Sequence, residues 1–165
     1  MNLLYLLLRG IHRNQGNTLT RIKRSPITIR QLFALQSFVR FCCSPYDAAI
    51  LWSAFTMAFF GLLRSSEYTA PTQTTFLDFT LLINDVSFSV DSRFMCIAIR
   101  ASKTDPFRHG TIIRLFRITS TLCPVQAALR YQALSTHTTG PFFRFFNGSY
   151  LTRTSVQQML QRCFP

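Results

Sequence analysis

Acidic side chains are scarce in this chain: one glutamate, Glu67, and five aspartates stand against 18 lysines and arginines. The formal charge is therefore +12, and the expected partner is a polyanion, either nucleic acid or an anionic membrane. Lysine is itself rare, with Lys23 and Lys103 alone among the cations, so the positive surface is one of guanidinium groups. Cysteine is present in an odd number, five, with no C-x-x-C spacing, and His12, His109 and His137 are scattered. No zinc site or other metal is expected, nor any cofactor, and the cysteines read as reduced core residues of an intracellular protein. A secretory signal is not indicated: the Leu3 to Leu8 run is too short, no charge precedes it and no small-residue cleavage site follows. A membrane-spanning run is also lacking. Ala48 to Leu63 holds 16 residues, including Ser53 and Thr56, where a bilayer needs about 20. A buried core helix is expected there. The alternative is a basic membrane-associated protein anchored by residues 48–63, which the 17 phenylalanines and the basic flanks would suit.

What the chain does have is enough apolar sequence for one folded domain: 165 residues, of which 48% are hydrophobic. Residues 1–24 read as the end of a helix, with Leu4, Leu7 and Leu8 on one face, followed by a basic, polar linker. They look like the tail of something upstream. Residues 25–165 then read as a second unit. Thr28 and Gln31 form a capping box, with Ile27 and Leu32 as a hydrophobic staple, so a helix is expected from Ile29 to before Ser44-Pro45. The long apolar helix follows from about Asp47 to Glu67. After a Thr-rich connection come three strands: Val86, Phe88 and Val90 alternate with polar residues, Phe94 to Arg100 is apolar, and Thr111 to Ile118 is third. The connections Asp91-Ser92-Arg93 and Ser102 to Gly110 are short enough for antiparallel hairpins. Two helices close the chain, one opened by Pro124 and one by a Thr154-x-x-Gln157 capping box. The expected fold is mainly α with a small three-stranded antiparallel sheet, an α+β class.

The chemistry concentrates at Arg64-Ser65-Ser66-Glu67, which closes the apolar run. A guanidinium held at the end of a buried helix can offer two parallel N–H donors to a phosphate, and a carboxylate three residues later can fix its orientation. The plainer alternative is a solvated arginine near a helix C-terminus, paired with Glu67 for a few tenths of a kcal/mol. Ala101-Ser102-Lys103-Thr104-Asp105-Pro106 adds a turn-forming Asp-Pro and a lysine near a hairpin tip, from which it can reach a ligand.

The order of elements, with Phe59-Phe60-Gly61-Leu62-Leu63-Arg64-Ser65-Ser66-Glu67, Asn84-Asp85-Val86-Ser87-Phe88, Ser102-Lys103-Thr104-Asp105, Leu122-Cys123-Pro124-Val125 and Asn147-Gly148-Ser149-Tyr150-Leu151-Thr152, resembles the catalytic domain of tyrosine recombinases. This is the phage-integrase family, and the resemblance is strongest to recombinases of eukaryotic mobile elements such as DIRS-type retrotransposons. It implies a partial recombinase catalytic domain over residues 25–165, preceded over 1–24 by the end of a helical, DNA-clamping domain. It implies Arg64 as a catalytic ligand of the scissile phosphate, Glu67 as the carboxylate supporting it, and Lys103 as the acid that protonates the leaving hydroxyl. Arg64, Lys103 and Arg108 would contact duplex DNA. Other recombinase protomers would be partners, and the expected location is the nucleus. The family places a His-x-x-Arg box and then a nucleophilic tyrosine after the last helix seen here. Tyr5, Tyr46, Tyr68, Tyr131 and Tyr150 all precede that part, so none matches the nucleophile, and each is expected to be a core or surface tyrosine. The expectation is a C-terminally truncated recombinase that takes part in DNA recombination and integration by binding DNA and is not catalytically competent alone.

Overall fold

A computed structural model describes residues 26–100 and 109–164. The expected helical end and linker over residues 1–24, and the connection that carries Lys103 and Arg108, lie outside the described residues.

Helix α1 (Ile29–Cys42) begins as its capping box requires. The Gln31 N–H donates to Thr28 Oγ1 at 3.3 Å, and the Thr28 N–H donates to Gln31 Oε1 at 2.8 Å. Two of the N–H groups that a helix start leaves unpaired are thereby satisfied. Leu32, Leu35 and Val39 are buried along one face, while Ile27 stays exposed beside the cap. Helix α2 (Pro45–Gly61) is capped by Ser44, whose Oγ accepts from the Asp47 N–H at 3.1 Å, and Pro45 occupies its first turn, where a missing N–H costs nothing. This helix has no polar face. Residues 48–51 and 53–57 are all buried, with Ser53 and Thr56 turning their hydroxyls onto Met57 Sδ and onto the Trp52 and Ser53 carbonyls. Helix α1, helix α4 and strand β3 pack around it (the last two are delimited below). The apolar run is thus the centre of the core. No helix among the described residues is long and apolar enough to cross a membrane.

The helix expected to run on to Glu67 instead stops at Gly61. Leu62 takes the left-handed conformation at φ 51°, and the Leu63 N–H reaches back to the Ala58 carbonyl at 3.0 Å, the six-to-one bond of a Schellman stop. The reversal leaves Leu63 in the core and Leu62 87% exposed. Gly61 permits the reversal, because a Cβ there would meet Leu63 Cγ at 3.2 Å. A separate short helix α3 (Ser65–Tyr68) follows.

The sheet has the order β1 (Val86–Phe88), β2 (Phe94–Ile99), β3 (Thr111–Phe116), antiparallel throughout. Val86 faces Ile97, and Ile97 faces Ile113, so Val86, Met95, Ile97, Ile99 and Leu115 cover the core side. The first strand is shorter than its alternation predicts. It ends at Phe88, and Val90 is fully exposed, because Ser89 turns the chain: its Oγ accepts from the Arg93 and Phe94 N–H groups and donates to Asp91. Helix α4 (Pro124–Leu134) starts at the expected proline and buries Val125, Ala128 and Tyr131. Helix α5 (Arg153–Cys163) starts one turn fragment earlier than expected: Thr152, not Thr154, is the cap, its Oγ1 accepting from the Ser155 N–H at 3.1 Å. Thr152 is buried and bridged to Ala70, so the chain is already extended there and the helix can begin at once. The cysteines are free, but only Cys123 is buried. Cys42 is exposed, contrary to the core placement expected for all five.

Leu62 holds a conformation that costs a side-chain-bearing residue about 1–2 kcal/mol, and its own side chain packs on nothing that would repay the cost. Leu62→Gly is therefore expected to stabilise the fold by about 0.5–1 kcal/mol, after allowing for the extra freedom of glycine in the unfolded chain. Urea titration measures this directly.

Candidate phosphate-binding site

Arg64 owes its place to the stop that precedes it. Once Leu63 has turned into the core, the next residue emerges at the surface as the N-cap of α3, with extended backbone angles of φ −72° and ψ 146°. The pair is therefore not held by one continuous helix face, as the sequence led us to expect. It is held by a cap. The Glu67 N–H donates to the Arg64 carbonyl at 2.9 Å, closing the turn, and the Glu67 side chain folds back over it. One carboxylate oxygen, Oε2, accepts the Arg64 backbone N–H at 2.8 Å, and the other, Oε1, accepts Arg64 Nη1 at 3.0 Å. Only half of a capping box is possible here, because a guanidinium has donors and no acceptor with which to bond the third N–H.

The burial of the two partners is unequal. The Glu67 side chain is 9% exposed and that of Arg64 is 52% exposed. A carboxylate so enclosed has little freedom, and it fixes both the backbone and the side chain of the arginine in front of it. The exit from α3 is pinned as well: the Ala70 N–H donates to the Leu151 carbonyl at 2.8 Å, and the Tyr150 N–H to the Gln73 carbonyl at 2.8 Å. On the opposite side, a Cβ on Gly61 would lie 3.8 Å from Ile113 Cγ2, so the end of α2 sits two residues from Thr111, which pairs with Ile99 as the last rung of the β2–β3 ladder. The residues on either side of the Lys103 connection are thereby set near the same end of the molecule as Arg64. Lys103 and Arg108 themselves lie outside the described residues.

The four described tyrosines are packed against other rings. Tyr68 is buried, with its hydroxyl pushed up to about 12 by loss of solvent, and stands edge-on to Phe143. Tyr131 is wholly buried; its hydroxyl donates to the Phe142 carbonyl at 2.8 Å and accepts the Arg144 N–H at 3.0 Å, and burial raises its pKa far above the ordinary value. Tyr46 packs on Tyr131, and Tyr150 on Phe76. These contacts suit tyrosines that build the core and its rim.

A second arginine–carboxylate unit was not read from the sequence. Asp85, 7% exposed, accepts the Leu82 N–H with Oδ2 at 2.8 Å, while its Oδ1 receives Arg100 Nε at 2.8 Å and Nη2 at 2.7 Å. The signal was available in Asp85 standing between two apolar stretches, where an unpaired carboxylate would be costly. Neither Arg64 nor Glu67 lines the cleft of about 410 Å³ that has Arg40, Trp52 and Arg130 on its walls.

No protein-family model, curated protein or solved structure matches this chain.

Because Glu67 caps the backbone as well as pairing the side chain, its two roles separate by substitution. Glu67→Ala should lower stability by about 1 kcal/mol, the usual cost of losing a helix-start partner. Glu67→Gln, which keeps a carbonyl oxygen for the Arg64 N–H, should lose less. Equal losses for the two variants in urea titration would show that the backbone contact is not what Glu67 contributes.

Proposed function

We propose that this chain is a DNA-binding part of a tyrosine-recombinase catalytic domain belonging to a mobile element, with Arg64 as a phosphate ligand. The observation that supports this reading best is the double hold of Glu67 on Arg64, one oxygen on the backbone and one on the guanidinium, with half of the arginine side chain open to solvent. An arginine fixed in this way meets a phosphate with less ordering to do than a free surface side chain, and its planar fork matches two phosphate oxygens. The charge of +12 supplies the long-range attraction that such a partner needs. In this reading Glu67 is a positioning residue, Lys103 is the leaving-group acid of the complete enzyme, and Arg108 makes a further backbone contact. The proposal covers DNA binding and leaves strand cleavage aside, since none of the chain's tyrosines matches the family's nucleophile.

Duplex binding should be weak in sequence preference and steep in salt dependence, because phosphate contacts carry little base information. Arg64→Ala is expected to weaken it about tenfold, in line with loss of hydrogen bonds to a charged group. Arg64→Lys should not restore it, and Glu67→Ala should impair it in parallel. Arg30, an exposed arginine of α1, provides the control for simple charge loss. Titration of a labelled duplex at two salt concentrations decides the matter: an Arg64→Ala curve that coincides with Arg30→Ala would reduce Arg64 to an ordinary surface charge.

A further inference from the structure

The outer face of the sheet carries a row of side chains that the core does not use. In the β2–β3 ladder Phe94 stands opposite Phe116, Cys96 opposite Arg114 and Ala98 opposite Ile112. Side chains alternate along a strand, so these six share the face turned away from Met95, Ile97, Ile99 and Leu115. The Phe94 and Phe116 rings have centroids 6.0 Å apart at a tilt of 55°, and Phe116 remains 62% exposed. Arg114, diagonal to Phe94, lays its guanidinium over that ring, with Cζ 4.8 Å from the centroid. Beyond this row the Arg117 N–H donates to the Arg93 carbonyl at 2.7 Å, and these two residues, one position out of phase with Phe94 and Phe116, belong to the other side of the strands. Asp91 pairs with Arg93, while Arg114 and Arg117 have no ion pair among the described residues.

Aromatic rings on a strand ladder, with a guanidinium stacked on one of them and in no ion pair among the described residues, offer two kinds of contact at once. Rings and guanidinium planes accept the faces of unpaired bases, and the arginines accept the phosphates that link them. A duplex cannot use the first kind, because its base faces are already stacked on one another. We propose that this sheet face binds single-stranded nucleic acid, with bases stacked on Phe116 and on the Phe94–Arg114 pair and the phosphate backbone drawn to Arg114. Charge complementarity selects this occupant: Arg114 is the one charged group among the six, no acid stands with it on this face, and the chain as a whole carries +12. The site is separate from Arg64 and stands whether or not Arg64 clamps a duplex.

The test is anisotropy of a labelled oligothymidine of about 12 nucleotides, within the range one such surface spans, titrated with the full chain at two salt concentrations. Phe116→Leu keeps apolar bulk but removes the ring, and it should weaken binding about tenfold. Phe116→Trp should bind as well as the parent or better. Arg114→Gln should weaken binding and flatten its salt dependence. Arg30→Ala should leave oligothymidine binding within about twofold of the parent, and Phe116→Leu should leave duplex binding in place, so that failure of one reading is distinguishable from failure of the other. Phe116 is exposed, so its variants should keep the parent melting temperature; if Phe94→Leu fails to fold, Phe116→Leu and Arg114→Gln carry the test. Oligothymidine binding by Phe116→Leu equal to that of the parent would overturn the proposal. So would a Phe116→Leu variant that retains the oligonucleotide but loses self-association on sizing or binding to phosphatidylserine vesicles, since the face would then belong to a second copy or to a membrane.

Discussion

The burial of α2 on every side is the constraint on which the other elements depend. A helix without a polar face must be surrounded, and α1, α4 and β3 supply the surroundings. Its ends then decide what the molecule presents. At the start, Ser44 and Pro45 end one helix and begin the next without leaving N–H groups bare. At the far end the core needs one more leucine than the helix can deliver, so the chain reverses through Leu62, sends Leu63 inward and releases Arg64 at the surface. The candidate site is thus a by-product of how the core is completed, and its rigidity is borrowed from that packing.

Scarcity of acid gives each carboxylate unusual weight. Two of the five acidic residues among the described residues, Glu67 and Asp85, are buried, and both do the same thing: one oxygen caps a turn three residues earlier and the other holds an arginine. The geometry satisfies the carboxylate without isolating it in the core, which would cost several kcal/mol. The difference between the two units lies in how the guanidinium is engaged. Arg100 gives Nε and Nη2 to Asp85 and Nη1 to the Asp78 carbonyl, a mode suited to tying β2 to the preceding loop. Arg64 gives Nη1 to Glu67 and keeps half of its side chain surface toward solvent.

The local signals in the sequence were those that depend on a few adjacent residues. The Thr28–Gln31 box, the helix stop before Ser44-Pro45 and Pro124 at a helix start each act within one turn, and each stands where the pattern put it. What was not legible needed tertiary information. The stop at Leu62 follows from which of two adjacent leucines the core can reach, and nothing in Leu62-Leu63 distinguishes them. Thr152 displaces Thr154 as the cap because a bridge to Ala70, some 80 residues away in sequence, fixes the backbone before the helix starts. Glu67 was found beside Arg64 for a partly different reason than expected: three-residue spacing brings the two together across a cap as well as along a helix.

In the reading proposed above, the half-exposure of Arg64 bears on the kind of ligand it meets. Small molecules are held in concave sites that cover most of their area, and the cleft of about 410 Å³ with Arg40, Trp52 and Arg130 on its walls includes neither Arg64 nor Glu67. A polymer needs no such enclosure. Its affinity is summed over many phosphates spread along a surface, each contact modest and each releasing counterions, so a half-exposed arginine held at one fixed angle contributes as one point of a larger footprint. Fixing the angle is where Glu67 matters. With a single glutamate in the chain, the surface has little acid to spend on neutralising arginines, and the one glutamate it has is used to aim one of them.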